Sequence, residues 1–520
     1  MNGGLSRSPL FVCRPRRSAQ RFTHRGALLT PLDLIVIVAY FLVTVGIGLW
    51  SSRHQTTTTD YFLGARNLPA WAILLSIVAT ETSALTVISV PGIGARGDLR
   101  FLQLAFGYLV GRTVVAFWLL PGYFDGTQET AYARLERRFG GSTRRMVSAV
   151  FLVTRFLGDS VRIYAGAIPL ALVTGWSVPW SIVAVGGITM LYTWQGGLRA
   201  VVWTDVVQLA IYIAGGAAAL MIAWELAGGV GTSFAASAAA GKLRVIDPSI
   251  DFTSTYTLLG GLLGGGMLSA ASHGTDHLIV QRLLSSRSLG AARTALIGSG
   301  VVVILQFALF LLVGTAIWAA GYAPPDLPAD QVFTHFVVDH LPAGLAGLVV
   351  AGILAAAMST QSSAINALAS AVTHDFYAPR AARRDAEHLL RVGRRFSALW
   401  AVLLVVGALY FAVSARGTQT PVVVTALSIA SITYGGLLGT YVLAGRWSHA
   451  TGTDVIRAVS FTLVVMLVIT SASWLSDLPG LDWLAPFGRL AWPWYVPLGT
   501  LLTVATGLLL SWFRQPSEAA

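Results

Sequence analysis

The sequence predicts an all-α integral membrane protein of about thirteen spanning helices, and three observations point there. Only 11% of its 520 residues are charged and 55% are hydrophobic, against about 25% charged in a soluble domain. Apolar runs such as 34–50 and 301–320 approach the ~20 residues that cross ~30 Å of hydrocarbon. Backbone amides and carbonyls in lipid have no water to bond, so such runs must close their own hydrogen bonds as helices.

The expected segments are 31–50, 70–95, 100–121, 146–171, 178–194, 201–225, 255–284, 292–320, 343–374, 392–414, 419–445, 455–474 and 491–513. Arginines orient them. Arg134, Arg137, Arg138, Arg144 and Arg145 follow the third segment, and Arg380, Arg391, Arg394 and Arg395 follow the ninth. Basic residues collect on the cytoplasmic side, so these loops and the C-terminus are expected inside. The net charge of +12 is therefore a topology signal and predicts no nucleic-acid partner. Lys242 is the only lysine among 35 basic residues. That bias, with abundant Ala and Gly, fits a GC-rich bacterial genome and hence a bacterial inner membrane, with lipid as the surrounding partner and no obligate protein partner evident. Residues 1–28 contradict the pattern. They carry Arg7, Arg14, Arg16, Arg17, Arg21 and Arg25 without an acid, yet would lie outside. They lack the apolar core of a signal peptide and are expected to be a disordered or untranslated extension.

Beyond a leading helix at 31–50, the segments form two blocks of five, 70–225 and 255–445, followed by two C-terminal helices over 455–513. Loop charge gives the blocks opposite orientations, the arrangement of an inverted repeat. The first segment of each block is interrupted. In one the interruption is Ala79-Thr80-Glu81-Thr82-Ser83, then Pro91-Gly92; in the other it is Gly264-Gly265-Gly266, then Ser269 to Asp276. Matched interruptions in corresponding segments point to a solute site, because a half-helix end offers free backbone groups only where it lines a cavity. Ser269, Ser272 and His273 are candidate cavity residues on that ground, as are Glu81 and Ser83 in the first break.

Several stretches carry a resemblance. They are 60–69 (Asp-Tyr-Phe-Leu-Gly-Ala-Arg-Asn-Leu-Pro), 196–208 (Gly-Gly-Leu-Arg-Ala-Val-Val-Trp-Thr-Asp-Val-Val-Gln), and Gly274-Thr275-Asp276-His277 with Val280-Gln281-Arg282. To these add 355–363 (Ala-Ala-Ala-Met-Ser-Thr-Gln-Ser-Ser) and His374-Asp375-Phe376-Tyr377. Across roughly residues 31–450 the chain resembles the sodium/solute symporter family, whose members carry sugars, proline, monocarboxylates, iodide, vitamins or sialic acid. The resemblance implies the five-plus-five leucine-transporter-type fold and sodium-coupled import of a small organic solute or anion by alternating access. A proton-coupled symporter of the same fold, or a transporter-like nutrient sensor, is the alternative.

Sodium needs several hard oxygen ligands. Ser359, Ser362 and Ser363 share one helical face by spacing, although such hydroxyls also bond back to their own helix. The resemblance implies a first sodium held by the carbonyls of Ala79, Thr82 and Ala356 and the hydroxyls of Ser359 and Thr360. It implies a second, present in some members, at Asp205, Ser359, Ser362 and Ser363. Two sodium ions per cycle are therefore expected. Sugar-carrying members have a neutral amide where this chain has Glu81, and Glu-Gln where it has Leu85 and Thr86, which disfavours a sugar; Thr86 remains a candidate substrate residue. Glu81 is open to three roles: binding a cationic group of the substrate, taking up a proton, or pairing with Arg112 or an arginine of the fourth segment. Arg155, Asp159 and Arg162 fall on one face of that segment and read as an internal ion triad. No enzyme constellation is present. The glycines of 260–266 lie in a membrane segment rather than after a strand, so they form no phosphate loop, and no His/Glu set has zinc spacing.

Overall fold

The structure is a computed structural model that describes residues 30–51, 55–126, 128–383, 385–414 and 422–514. The basic extension 1–28 lies outside the described residues. Those residues are helical with no strand, apart from one isolated bridge between Leu68 and Ser286.

The main helices are α1 (Pro31–Ser51), α2 (Ala70–Glu81), α3 (Ala84–Arg96), α4 (Leu102–Trp118), α5 (Gly141–Thr174), α6 (Val178–Leu226), α7 (Gly266–Gly274), α8 (His277–Leu284), α9 (Leu289–Ala319), α10 (Leu345–Ala371), α11 (Ala386–Ser414), α12 (Val422–Arg446), α13 (Gly452–Thr470) and α14 (Tyr495–Arg514). Among the described residues, seven helices are long and apolar enough to span a membrane, or eight with the bent pair α2–α3 counted as one. The expected thirteen is higher for physical reasons. α6 has 49 residues, about 74 Å at ~1.5 Å per residue, enough for two crossings that meet at the kink of Gly197. α4 is short, α5 carries charges, and α7 and α8 are halves of one broken segment.

α10 is the hub. Its window is 94% buried, and it packs on α6, α5 and α1. Its residues Ala355, Ala356, Ala357 and Ala364 are small enough for close approach, the means by which helices associate where no hydrophobic drive separates them from lipid. At α6, Gly197 has φ 54°, and a Cβ there would collide with Tyr61 O, so the kink requires glycine.

The two expected interruptions differ in outcome. α2 and α3 meet at 68° because Thr82 and Ser83 are extended (ψ 93° and 167°). In the second block the glycine run does not interrupt the helix. Gly260–Gly265 is a π-helical turn pressed against α4, where a Cβ on Gly107 or Gly111 would strike Gly261 O or Gly266 O. The break lies later, at Thr275 and Asp276, where Asp276 caps α8 by accepting from Leu278 N at 2.9 Å.

The loop 227–258 is clasped to one end of the bundle. Lys242 Nζ donates to Ala95 O (2.7 Å) and Gly97 O (3.1 Å) and lies 4.6 Å over the Trp318 ring. Asp247 pairs with Arg100 at 2.7 Å, and its amide donates to Gln103 Oε1. The opposite end is tied by Asp375, which takes Arg144, Thr130 and Ser148, and by His374 against Glu129 at 2.5 Å.

Candidate functional site

The α2–α3 break frees backbone oxygens. Thr82 N still reaches Val78 O at 3.0 Å, but the amides of Thr86 and Val87 both turn to Ser83 O (2.9 and 3.3 Å). Thr82 O thus loses its partner four residues on, and no hydrogen bond joins Ser83 N to Ala79 O. Carbonyls left without amides at a helix end are ready acceptors. The Thr82 hydroxyl accepts from Gln306 Nε2 at 2.7 Å and has Val78 O (2.8 Å) and Gln306 Oε1 (3.0 Å) as alternative acceptors for its single proton. α10 approaches this region: a Cβ at Gly166 would lie 2.5 Å from that of Ala357 and 3.3 Å from that of Ala84. On α10, Thr360 Oγ1 donates to Ala356 O at 3.1 Å, which puts two of the implied ligands in contact.

Asp205 is fully buried, not a solvated charge at a helix end. Its Oδ1 accepts from Ser359 (2.6 Å); its Oδ2 accepts from Ser76 (2.5 Å), Thr80 (3.4 Å) and Arg282 (3.2 Å). Ser363 is bonded to Arg282 and lies 3.2 Å from Thr80 Oγ1. Asp205, Ser359 and Ser363 therefore meet, whereas the Ser362 hydroxyl turns back to Ser359 O at 3.0 Å. Sequence reasoning named Arg282 only as part of a motif; the signal it offered was an arginine inside a spanning segment, which needs a buried acid.

A cavity of about 150 Å³ lies beside the break, lined among others by Glu81, Ser83, Thr86, Ser269, Ser272 and His273. All six candidate substrate residues thus share one space. A void of that size holds a molecule of about the size of benzene. It extends past Ser89 to Phe101 and Trp492, towards the end that carries the clasped loop. Glu81 pairs with Arg112, which also donates to Ser299 at 2.7 Å. His273 Nδ1 faces Ser269 O (3.1 Å) and Ser272 Oγ (2.8 Å), while its Nε2 has no hydrogen-bond partner and lies 3.7 Å from Glu81 Oε2. The expected triad is only part of a larger set. Asp159 does meet Arg155 (3.5 Å) and Arg162 (3.2 Å), but Arg155 gives its short bond, 2.6 Å, to Asp276 at the second helix break, where Tyr434 also donates.

The chain is 26% identical to the sodium/sialic acid symporter NanT of Aliivibrio fischeri over 92% of each chain. It is 28% identical to the human sodium-coupled monocarboxylate transporter 1, over 79% of this chain and 68% of that one. Its fold matches a Na⁺-coupled sialic acid symporter in a substrate-bound outward-open state, with a TM-score of 0.81 at 22% identity over 93% of this chain and 98% of that chain. The architecture is thus the leucine-transporter-type one. Residues 61–460, more than half the chain, match the sodium:solute symporter family. The chain belongs to that family, as a sodium-coupled membrane transporter of a small solute and not an enzyme, with the sodium ion as its coupling ion.

Proposed function

We propose that a first sodium binds between the α2–α3 break and α10, held by the carbonyls of Ala79, Thr82 and Ala356 and the hydroxyls of Ser359 and Thr360. The observation that carries this reading is the pair of carbonyls freed at the α2–α3 break, on a segment that packs against the hub helix. Sodium takes neutral oxygens of this kind, and binding there joins a bent segment to the rigid centre of the bundle. A second sodium is assigned to Asp205, Ser359 and Ser363, with Ser362 next to them on α10; it requires Arg282 to yield part of its hold on Asp205. The solute occupies the adjoining cavity against Glu81, Ser83, Thr86, Ser269, Ser272 and His273.

The cavity leads to one end of the bundle while Asp375, Arg144, Glu129 and His374 tie the other, which fits a state open to the outside. Sodium and solute enter there, one repeat (70–225) rocks against the other (255–445), and both leave on the far side. The arginine-rich loops put that far side, with the C-terminus, in the cytoplasm of a bacterial inner membrane.

The test is thermal unfolding of the purified protein in sodium and in potassium. Sodium is expected to stabilise wild type, by an amount that grows with its concentration, and Ser359→Ala to abolish the difference. Equal curves in the two salts, or a sodium effect that survives Ser359→Ala, would overturn this placement of the sodium site.

A further inference from the structure

We infer that Gln306 is a positioning residue for the first sodium, holding Thr82 so that the carbonyl freed at the α2–α3 break keeps one orientation. This rests on the proposed sodium site and deepens it.

Gln306 belongs to the second repeat. It sits on α9, which packs against both halves of the bent segment, α2 and α3. It is buried, and it is the one polar residue in the stretch from Val301 to Leu312. An amide in such a place costs stability unless it is bonded. Both ends of this amide turn to a single atom of the first repeat. Nε2 donates to Thr82 Oγ1 at 2.7 Å, and Oε1 lies 3.0 Å from the same hydroxyl. Among the described residues Gln306 meets no other hydrogen-bond partner. From the other side the hydroxyl is held by its own helix, with Val78 O at 2.8 Å.

The clamped residue is the one whose backbone most needs holding. Thr82 is the C-cap of α2, with φ −79° and ψ 93°, and ψ sets the direction of its carbonyl. The last carbonyls of a helix have no amide of that helix to fix them, and helix ends fray. Here the next two free amides, Thr86 and Val87, both go to Ser83 O instead. The side chain supplies the restraint that the backbone lacks. Threonine is stiff at χ1, so an oxygen clamped between Gln306 and Val78 O also restrains its Cα, and with it the peptide plane that carries the free carbonyl. A ligand held in place before the ion arrives loses less freedom on binding, so the clamp acts on sodium affinity. Hydrogen bonds of this kind also serve as plain glue between spanning helices; sodium affinity separates the two roles.

Thermal unfolding of the purified protein across a sodium series, with potassium making up the salt, reads affinity and stability apart. Gln306→Met and Thr82→Val are each expected to weaken sodium by roughly three- to ten-fold, although Thr82→Val keeps the ligand carbonyl and Gln306 is no ligand. Thr82→Ser, which keeps the hydroxyl, should retain most of the affinity. The double variant Thr82→Val/Gln306→Met distinguishes a positioning role from glue. With both partners apolar, no buried polar group is left unmet. Its unfolding temperature in potassium should return towards wild type, while its sodium affinity stays as low as in the singles. Recovery of sodium affinity together with stability overturns the inference, and so does wild-type sodium affinity in either single variant. If the singles do not fold, the double variant is read alone: weak sodium binding by a stable protein upholds the inference, and wild-type binding overturns it. A wild type that sodium does not stabilise brings down the underlying sodium site, a result distinct from any difference between wild type and these variants.

Discussion

Among single residues, Asp205 is the group on which most depends. Its fully buried carboxylate is held by one guanidinium and the hydroxyls of Ser76 and Ser359, with the Thr80 hydroxyl 3.4 Å away. Removing one member of a buried ion pair strands the other, at a cost of about 3–5 kcal/mol. Asp205→Asn is therefore expected to lower unfolding stability by that amount in detergent. The double variant Asp205→Asn/Arg282→Gln should cost less than the sum of the singles, because the stranded charge is gone. The sequence made the acid and the serines legible, since each is a polar residue on an apolar helix. It could not pair them, because Asp205 and Arg282 lie 77 positions apart and no local spacing joins them. The same holds for Glu81: its partner was narrowed to a few arginines, and only packing singled out Arg112.

The helices and the loops between them show a similar division. Their positions were legible from hydropathy, and the polar run at Ala79 to Ser83 marked the first break. The second was expected from Gly264 to Asp276 and falls at the far end of that range; its first part was included because a glycine run has the same signature whether it breaks a helix or lets another approach. Here it does the latter. Gly107→Leu, which would drive a side chain into the π-helical turn at Gly261, is expected to destabilise the protein by about 1–3 kcal/mol or more, whereas Gly187→Ala, with open space around its Cβ position, should cost little. Unfolding in detergent compares them. The clasped loop carries a pH prediction. Hydrogen bonds from Ser249, then the Arg100 pair, hold the Asp247 carboxyl down at about 2. A carboxyl depressed in the folded state contributes stability above its ordinary value and loses it as pH falls towards the folded one. Proteolysis or hydrogen exchange in 240–258 is thus expected to rise between about pH 4 and pH 2, and Asp247→Asn should flatten that response.

For the whole molecule, the proposed sites set the electrical balance of transport. Two sodium ions carry two charges per cycle, to which the solute adds its own, and a charge crossing 100 mV gains ~2.3 kcal/mol, worth ~50-fold in accumulation. Uptake into proteoliposomes should therefore respond to an inside-negative potential as well as to the sodium gradient. A response to the gradient alone would mean that the solute's charge cancels that of the sodium carried with it, and a neutral solute moved so would overturn sodium coupling through both sites. The described chain is built for such a cycle, tied at the Asp375 end and reached through a cavity from the other. The clasp over that second end has a practical consequence. Its anchor, Lys242, is the chain's sole lysine, and its amine is sequestered against Ala95 O, Gly97 O and the Trp318 ring. Amine-reactive reagents thus meet no other lysine side chain anywhere in the protein. The rate at which they acylate this one side chain is a native clock for how often the loop lifts away, read by mass spectrometry without introducing a label.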